Sequence, residues 1–210
     1  MRQILCFGDS NTFGSIPGGG RYHREVRWPG RLQSLLGNEY YVIEEGMGGR
    51  TTVWDDPTEP NRCGIQAIPI SLHTHKPLSL VIVLLGTNDC KSYFNAVPAA
   101  IAKGVEYLCK TIQQFDYGVN YPKPDLLLVS PIYIGEGVAD NPLSSFDESA
   151  VGKSRALAPL YKMIADELGC FFLDAGMVSQ ASEKDKLHMD EIGHECLAKA
   201  LYESIKGIYK

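Results

Sequence analysis

The chain has 210 residues, 44% of them hydrophobic and 21% charged, with a formal net charge of -5. That length suits one sizeable core, so a single domain over residues 1–210 is expected. The acidic balance, with no basic run and no basic-aromatic interleaving, excludes general affinity for nucleic acid or anionic lipid, which both favour basic surfaces.

The first apolar run, residues 3–7, is too short for a secretory h-region and ends at once in Gly8-Asp9-Ser10-Asn11. Residues 28–36 then show a helical period, with Trp28, Leu32, Leu35 and Leu36 on one side. A second run, 40–44, leads into EGMGGRTT at 45–52. Residues 62–75 make a weaker helix around Ile65, Ile68 and Leu72. The third run, 80–85, lies in the longest apolar stretch, LSLVIVLLG, which is far short of a membrane span, and leads into GTNDCK at 86–91. Residues 99–115 offer Ile101, Val105, Leu108, Ile112 and Phe115 at helical spacing. The fourth run, 126–130, is followed by Pro131 and a long loop through Phe146. A helix over 154–168 closes on Gly169, a helix-stop residue. The fifth run, 170–173, leads to Asp174 and then to DKLHMDEIGH at 185–194. Ile192, Leu197, Leu201, Ile205 and Ile208 mark a last helix.

Continuous rather than alternating hydrophobicity marks strands buried on both faces. Strands alternating with helices give a parallel sheet covered on both sides. The expected fold is therefore α/β, a three-layer α/β/α sandwich with a five-stranded parallel sheet. In such sheets ligands bind beyond the carboxyl ends of the strands, and polar residues gather at every one of those ends here. Six cysteines, at 6, 63, 90, 109, 170 and 196, show no CxxC spacing. They read as reduced, mostly buried thiols of a cytoplasmic protein.

A serine hydroxyl needs a base to take its proton and donors to receive charge on the substrate oxygen. Ser10 is the candidate nucleophile and His188 the candidate base. Asp185 lies three residues before His188, within reach of the second imidazole nitrogen. The donors would be the Ser10 backbone N–H, a backbone N–H in the glycine run after the second strand, and the Asn88 side-chain amide. Taken singly, Ser10 and Asn88 are turn residues; their shared place beyond strand ends favours chemistry. Asp9 reads as a cap of the turn, and Asp89 as an orienting or structural residue. A neutral His188 is required, so activity should fall on acidification.

These blocks resemble the SGNH (GDSL-type) hydrolases. Gly8-Asp9-Ser10-Asn11 is similar to the GDS(L) block, with Asn11 where Leu is usual. Gly46-Met47-Gly48-Gly49 resembles the glycine block, Gly49 matching the oxyanion glycine and Gly48 replacing a common Ser. Gly86-Thr87-Asn88-Asp89 reads as the GxND block and Asp185-Lys186-Leu187-His188 as the DxxH block. VRW at 26–28, DDPT at 55–58 and LGTNDCKSYF at 85–94 look like the bacterial arylesterases and acyltransferases of that family.

The resemblance implies a flavodoxin-like sheet and a serine esterase acting on short aryl or alkyl acyl esters through an acyl-enzyme on Ser10. Acyl transfer to alcohols or peroxide is the implied side activity. Ser10, Asp185 and His188 would be catalytic; Ser10, Gly49 and Asn88 would form the oxyanion hole. The implied partner is a small acyl ester; no cofactor or metal is needed, and the chain is expected to be a homo-oligomer. The alternatives are a carbohydrate O-acetyl deacetylase on the same machinery and an inactive binding protein on the hydrolase scaffold. The Asn11 departure is expected to bear on specificity by making the nucleophile's neighbour polar, and loop 132–146 matches no family pattern.

Other candidates read more simply. His194 falls on a helix face, and His73 and His75 lack a third metal ligand in register. His23 lies in the GGGRYHRE loop. Gly18, Gly19 and Gly20 give flexibility, since no GK[ST] follows. Cys90 has no base at a motif spacing. Trp28 and Tyr93 read either as neighbours of the site or of another subunit, or as ordinary surface-to-core residues.

Overall fold

The computed structural model describes residues 1–141 and 144–210. Among these, β1 (Arg2–Gly8), β2 (Tyr40–Gly46), β3 (Leu80–Leu84), β4 (Asp125–Ser130) and β5 (Phe171–Asp174) pair into one parallel sheet, in the order β2-β1-β3-β4-β5. They are the five apolar runs of the sequence with ends moved by one or two residues.

Residue parity sorts the side chains between two faces, because successive strand residues point to opposite sides. Leu5, Phe7, Val81, Val83 and Leu128 face one layer; Ile4, Cys6, Ile82, Leu127 and Val129 face the other. The first face is covered by α3 (Gly64–His75), α4 (Pro98–Gln114) and α5 (Ser149–Leu168). The second is covered by α2 (Trp28–Leu36) and α6 (Glu191–Ile208). The three-layer α/β/α architecture expected from the sequence is the one observed.

α5 starts five residues earlier than its hydrophobic period indicates. Asp147 Oδ1 accepts the Ser149 N–H at 2.9 Å, and Ala150 and Val151 reach the core, while Gly152 hides the pattern. Trp28 is fully buried against the second face and is a core residue, not a neighbour of the site.

The chain leaves β1 in one direction to make β2 and returns on the other side to make β3. The loops after β1 and β3 therefore diverge and open a crevice at the carboxyl end of the sheet. Gly8, Gly46 and Leu84 lie side by side at that end. Of loop 132–146, residues 142 and 143 lie outside the described residues.

Candidate active site

The turn that carries Ser10 is built directly on the sheet. A one-turn helix, α1 (Ser10–Phe13), starts two residues after β1 ends, and Asp9 Oδ1 caps it by accepting the Asn11 N–H at 2.9 Å. A β-carbon on Gly8 would lie 2.0 Å from Thr12 Oγ1 and 2.9 Å from the Leu84 carbonyl. Only a residue without that carbon lets the turn sit this low on the strand ends.

Ser10 Oγ lies 3.0 Å from His188 Nε2, and His188 Nδ1 lies 2.8 Å from Asp185 Oδ2, across 178 positions of sequence between Ser10 and His188. The other Asp185 oxygen accepts the backbone N–H groups of His188 at 2.9 Å and Leu187 at 3.1 Å. Partial burial pushes the Asp185 carboxyl up, but the hydrogen bonds from the His188 ring and from these two backbone groups outweigh it and hold it below the usual range. An ionised acceptor on Nδ1 selects the imidazole tautomer whose Nε2 can accept the serine proton.

Asn11 is where the structure corrects the sequence. Its side chain is not among those lining the cavity over Ser10, so its polarity is not presented there. It is buried, donates from Nδ2 to the Leu187 carbonyl at 3.2 Å and accepts the Met189 N–H on Oδ1 at 3.0 Å. The residue after Ser10 thus clamps the peptide groups on either side of His188.

Ser10, Gly49 and Asn88 line one cavity. Gly49 adopts φ +76, and the N–H groups of Ser10 and Gly49 donate to no acceptor among the described residues. Asn88 Nδ2 donates one hydrogen to the Arg50 carbonyl at 3.0 Å, which leaves its second for a ligand. Asp89 ties the loops together from behind: its Oδ1 accepts from Thr52 N–H at 2.9 Å and Thr52 Oγ1 at 2.5 Å. Burial pushes both the Asp9 and Asp89 carboxyls up to about 6, and each keeps one oxygen without a hydrogen-bond partner among the described residues. Arg50 lies beneath, its guanidinium donating to the Gly8 and Glu45 carbonyls and resting 4.2 Å over the Phe7 ring.

A cavity of about 480 Å³ opens over Ser10, Gly49 and Asn88. Phe13, Phe146 and Leu187 give it apolar wall; Glu59, Arg62 and Lys91 give it charged wall. A second cavity of about 680 Å³, whose lining includes Asp140, Ser144 and Lys184, shares Ser145, Phe146, Leu187 and His188 with the first. Sequence reasoning passed over Glu59 and Arg62, because a loop residue's orientation carries no periodic signal. Tyr93 stands just behind this wall, its hydroxyl donating to Asp56 at 2.7 Å.

The remaining histidines lie elsewhere. His194, in α6, is wholly buried and accepts the Trp28 N–H on Nδ1 at 3.3 Å. His75 lies 2.9 Å from Glu45, and His73 stacks edge-on with Phe115. Among the described residues no group of three or more His, Cys, Asp or Glu could hold a metal ion. All six cysteines are free, and Cys90 is buried with its thiol pushed up to about 12 by burial. No helix among the described residues is long and apolar enough to cross a membrane.

Residues 6–196 match the model of the GDSL-like lipase/acylhydrolase family. An aryl esterase of M. smegmatis is 38% identical over 99% of both chains, with a TM-score of 0.92. A carbohydrate acetylesterase family member from Sinorhizobium meliloti is 36% identical over 98% of both chains, with a TM-score of 0.93. A lipase/acylhydrolase from Enterococcus faecalis, at 20% identity and a TM-score of 0.70 over 99% of this chain and 96% of that one, shares the fold. No curated protein matches the chain. Four ordered sequence blocks, the sheet that carries them and near-complete overlap with esterases make the chain a member of the GDSL-like lipase/acylhydrolase family, a carboxylic ester hydrolase.

Proposed function

We propose that this chain is a serine esterase that cleaves short acyl esters through an acyl-enzyme on Ser10. The observation that carries this reading is the Ser10–His188–Asp185 relay, at 3.0 and 2.8 Å, facing three free donors across one cavity. Ser10 Oγ attacks the ester carbonyl carbon while His188 Nε2 takes the hydroxyl proton. Asp185 holds the resulting imidazolium by its Nδ1–H. The carbonyl oxygen becomes an oxyanion held by Ser10 N–H, Gly49 N–H and Asn88 Nδ2. As the tetrahedral centre collapses, His188 returns the proton to the leaving alcohol. Water, deprotonated by His188, then attacks the acyl-serine and releases the acid. An alcohol or peroxide in place of that water gives acyl transfer.

The whole chain acts as one hydrolase domain, residues 1–210, in this reading. The six free cysteines support a cytoplasmic place. Assembly into a homo-oligomer, which the family resemblance implies, is part of this reading, and light scattering checks it.

Ser10→Ala is expected to abolish turnover of phenyl acetate while leaving the circular dichroism spectrum unchanged. Wild-type rates in that variant would remove Ser10 from the mechanism. Stoichiometric labelling of Ser10 by an organophosphonate separates an active enzyme from a binding protein on the same scaffold. Asp140, Ser144 and Lys184, which line the second cavity together with His188, favour one further reading: the leaving alcohol is a polyol whose hydroxyls they can bond, as in a carbohydrate O-acetyl ester. A panel of acetylated sugars and phenyl acetate, with water and alcohols as acceptors, distinguishes these activities.

A further inference from the structure

We infer that Arg62 is a recognition cation of the ester cavity, and that the preferred esters carry a carboxylate a few carbon atoms from the scissile bond. The inference rests on the esterase reading of Ser10.

Arg62 ends the loop between β2 and α3. Its carbonyl accepts the Thr51 N–H at 3.0 Å, and Thr51 bridges Cys63 in a short parallel pairing, so its backbone is fixed to the oxyanion loop. Its side chain lines the cavity that holds Ser10, Gly49 and Asn88. The Nε atom lies 3.0 Å from the place a β-carbon would take on Gly49. Nε is buried, and the guanidinium makes no hydrogen bond among the described residues. Its one ion-pair partner among the described residues is Glu59, with Oε2 at 3.7 Å from Nε, beyond hydrogen-bond range.

Glu59 shares that oxygen with Lys91, whose Nζ donates to it at 3.3 Å. A row of alternating charges runs Asp56, Lys91, Glu59, Arg62, with separations of 2.7, 3.3 and 3.7 Å that lengthen toward the cavity. At the far end Asp56 is saturated, accepting from Lys91, Tyr93 Oη, Thr58 N–H and Oγ1, and Glu59 N–H. These bonds, led by the one from Lys91, overcome partial burial and hold its carboxyl far below the usual range. Lys91 is thus neutralised within the wall. The row terminates in the cavity on a planar cation with all its donors unused. The charge that continues the alternation is negative, and the group that matches a guanidinium fork is a carboxylate.

The test is a comparison of kcat/KM for paired anionic and neutral esters. Monomethyl glutarate against dimethyl glutarate places the charge on the acyl side. 4-Acetoxybenzoate against its methyl ester places it on the alcohol side. Phenyl acetate is the reference for esterase activity. The anionic-to-neutral ratio, in which any general loss cancels, should fall about tenfold or more in Arg62→Met, as for loss of a charge-assisted pair. Arg62→Lys should retain part of it. Glu59→Gln should raise it, by removing the competing carboxylate. Whichever pair responds identifies the side of the ester bond that Arg62 reads. Ratios equal within twofold across wild type and all three variants would overturn the inference while phenyl acetate hydrolysis left the esterase reading standing. Absence of phenyl acetate hydrolysis in the wild type would take both down.

Discussion

Asn11 holds the two halves of the proposed proton relay in register. It adjoins Ser10 in sequence and bonds the peptide groups flanking His188, so any drift of the histidine loop must break both bonds. Misplacing a relay by a fraction of an ångström costs rate more than binding. Asn11→Leu is therefore expected to lower kcat for phenyl acetate by about 10- to 100-fold with a smaller change in KM. A steady-state comparison checks it, and an equal rise in KM would instead assign Asn11 to substrate binding. Asn88 acts more directly. It lines the cavity with one amide hydrogen unused, and an oxyanion donor is worth about 10²–10³ in kcat, so in the proposed mechanism Asn88→Ala should lose that much with the Ser10 hydroxyl still in place. A transition-state mimic such as a boronic acid should lose affinity in parallel.

At the scale of elements, the sheet edge at β2 is closed by a side chain. Gln33, on α2, donates from Nε2 to the Tyr40 carbonyl at 3.0 Å and accepts the Val42 N–H on Oε1 at 2.8 Å. The amide imitates one residue of a neighbouring strand, on an edge that would otherwise present free backbone groups. It also bonds the Gly37 carbonyl at 3.1 Å, and so fixes the turn between α2 and β2. Gln33→Ala should cost about 1–3 kcal/mol in urea unfolding, from part-buried backbone groups left unpaired. Light scattering of that variant should show more association at high protein concentration. An unchanged unfolding midpoint would mean that water replaces the amide without loss.

Across the whole molecule, buried titrating groups pull stability in opposite directions with pH. Burial raises the Asp9 and Asp89 carboxyls to about 6, above their unfolded value of 3.8, so the folded state holds protons that the unfolded state releases. Their contribution is largest at low pH and is lost as pH rises from about 4 to 6. Burial first, and then the charges of Arg31, His188 and Arg27, lower His194 to about 4, from 6.5. Its contribution is complete above 6.5 and is lost as pH falls toward 4. Each shift is on the order of 3 kcal/mol, and between about pH 4 and 6 the slopes oppose each other. Asp89→Asn keeps an oxygen for Thr52 and removes one downward slope, so this variant should gain on the wild type as pH rises through that window. His194→Asn keeps an acceptor for Trp28 N–H and removes the upward slope, so it should gain on the wild type as pH falls. Urea midpoints at pH 4.5 and 7 check both signs, and parallel curves for all three proteins would refute the titrations.

Sheet, layers and the order of the four blocks were written in the chain, because buried strands and amphipathic helices declare themselves by the period of their apolar residues. The candidate site residues Ser10, Asn88, Asp185 and His188 were legible too, since each follows a strand whose carboxyl end is the place where such a sheet binds ligands. Local period carries no information on contacts between residues far apart in the chain. That Asn11 reaches Leu187 and Met189 rather than the ester cavity follows from how the β1 turn and the start of α6 come together. That Trp28 is core, and that Arg62 closes a row of charges begun at Asp56, likewise depends on loops whose paths are set by packing. The chain alone decided which polar residues stand at the sheet's end; folding decided which side chains hold them in place and which line the cavity, because those assignments are distances through space and not intervals along a sequence.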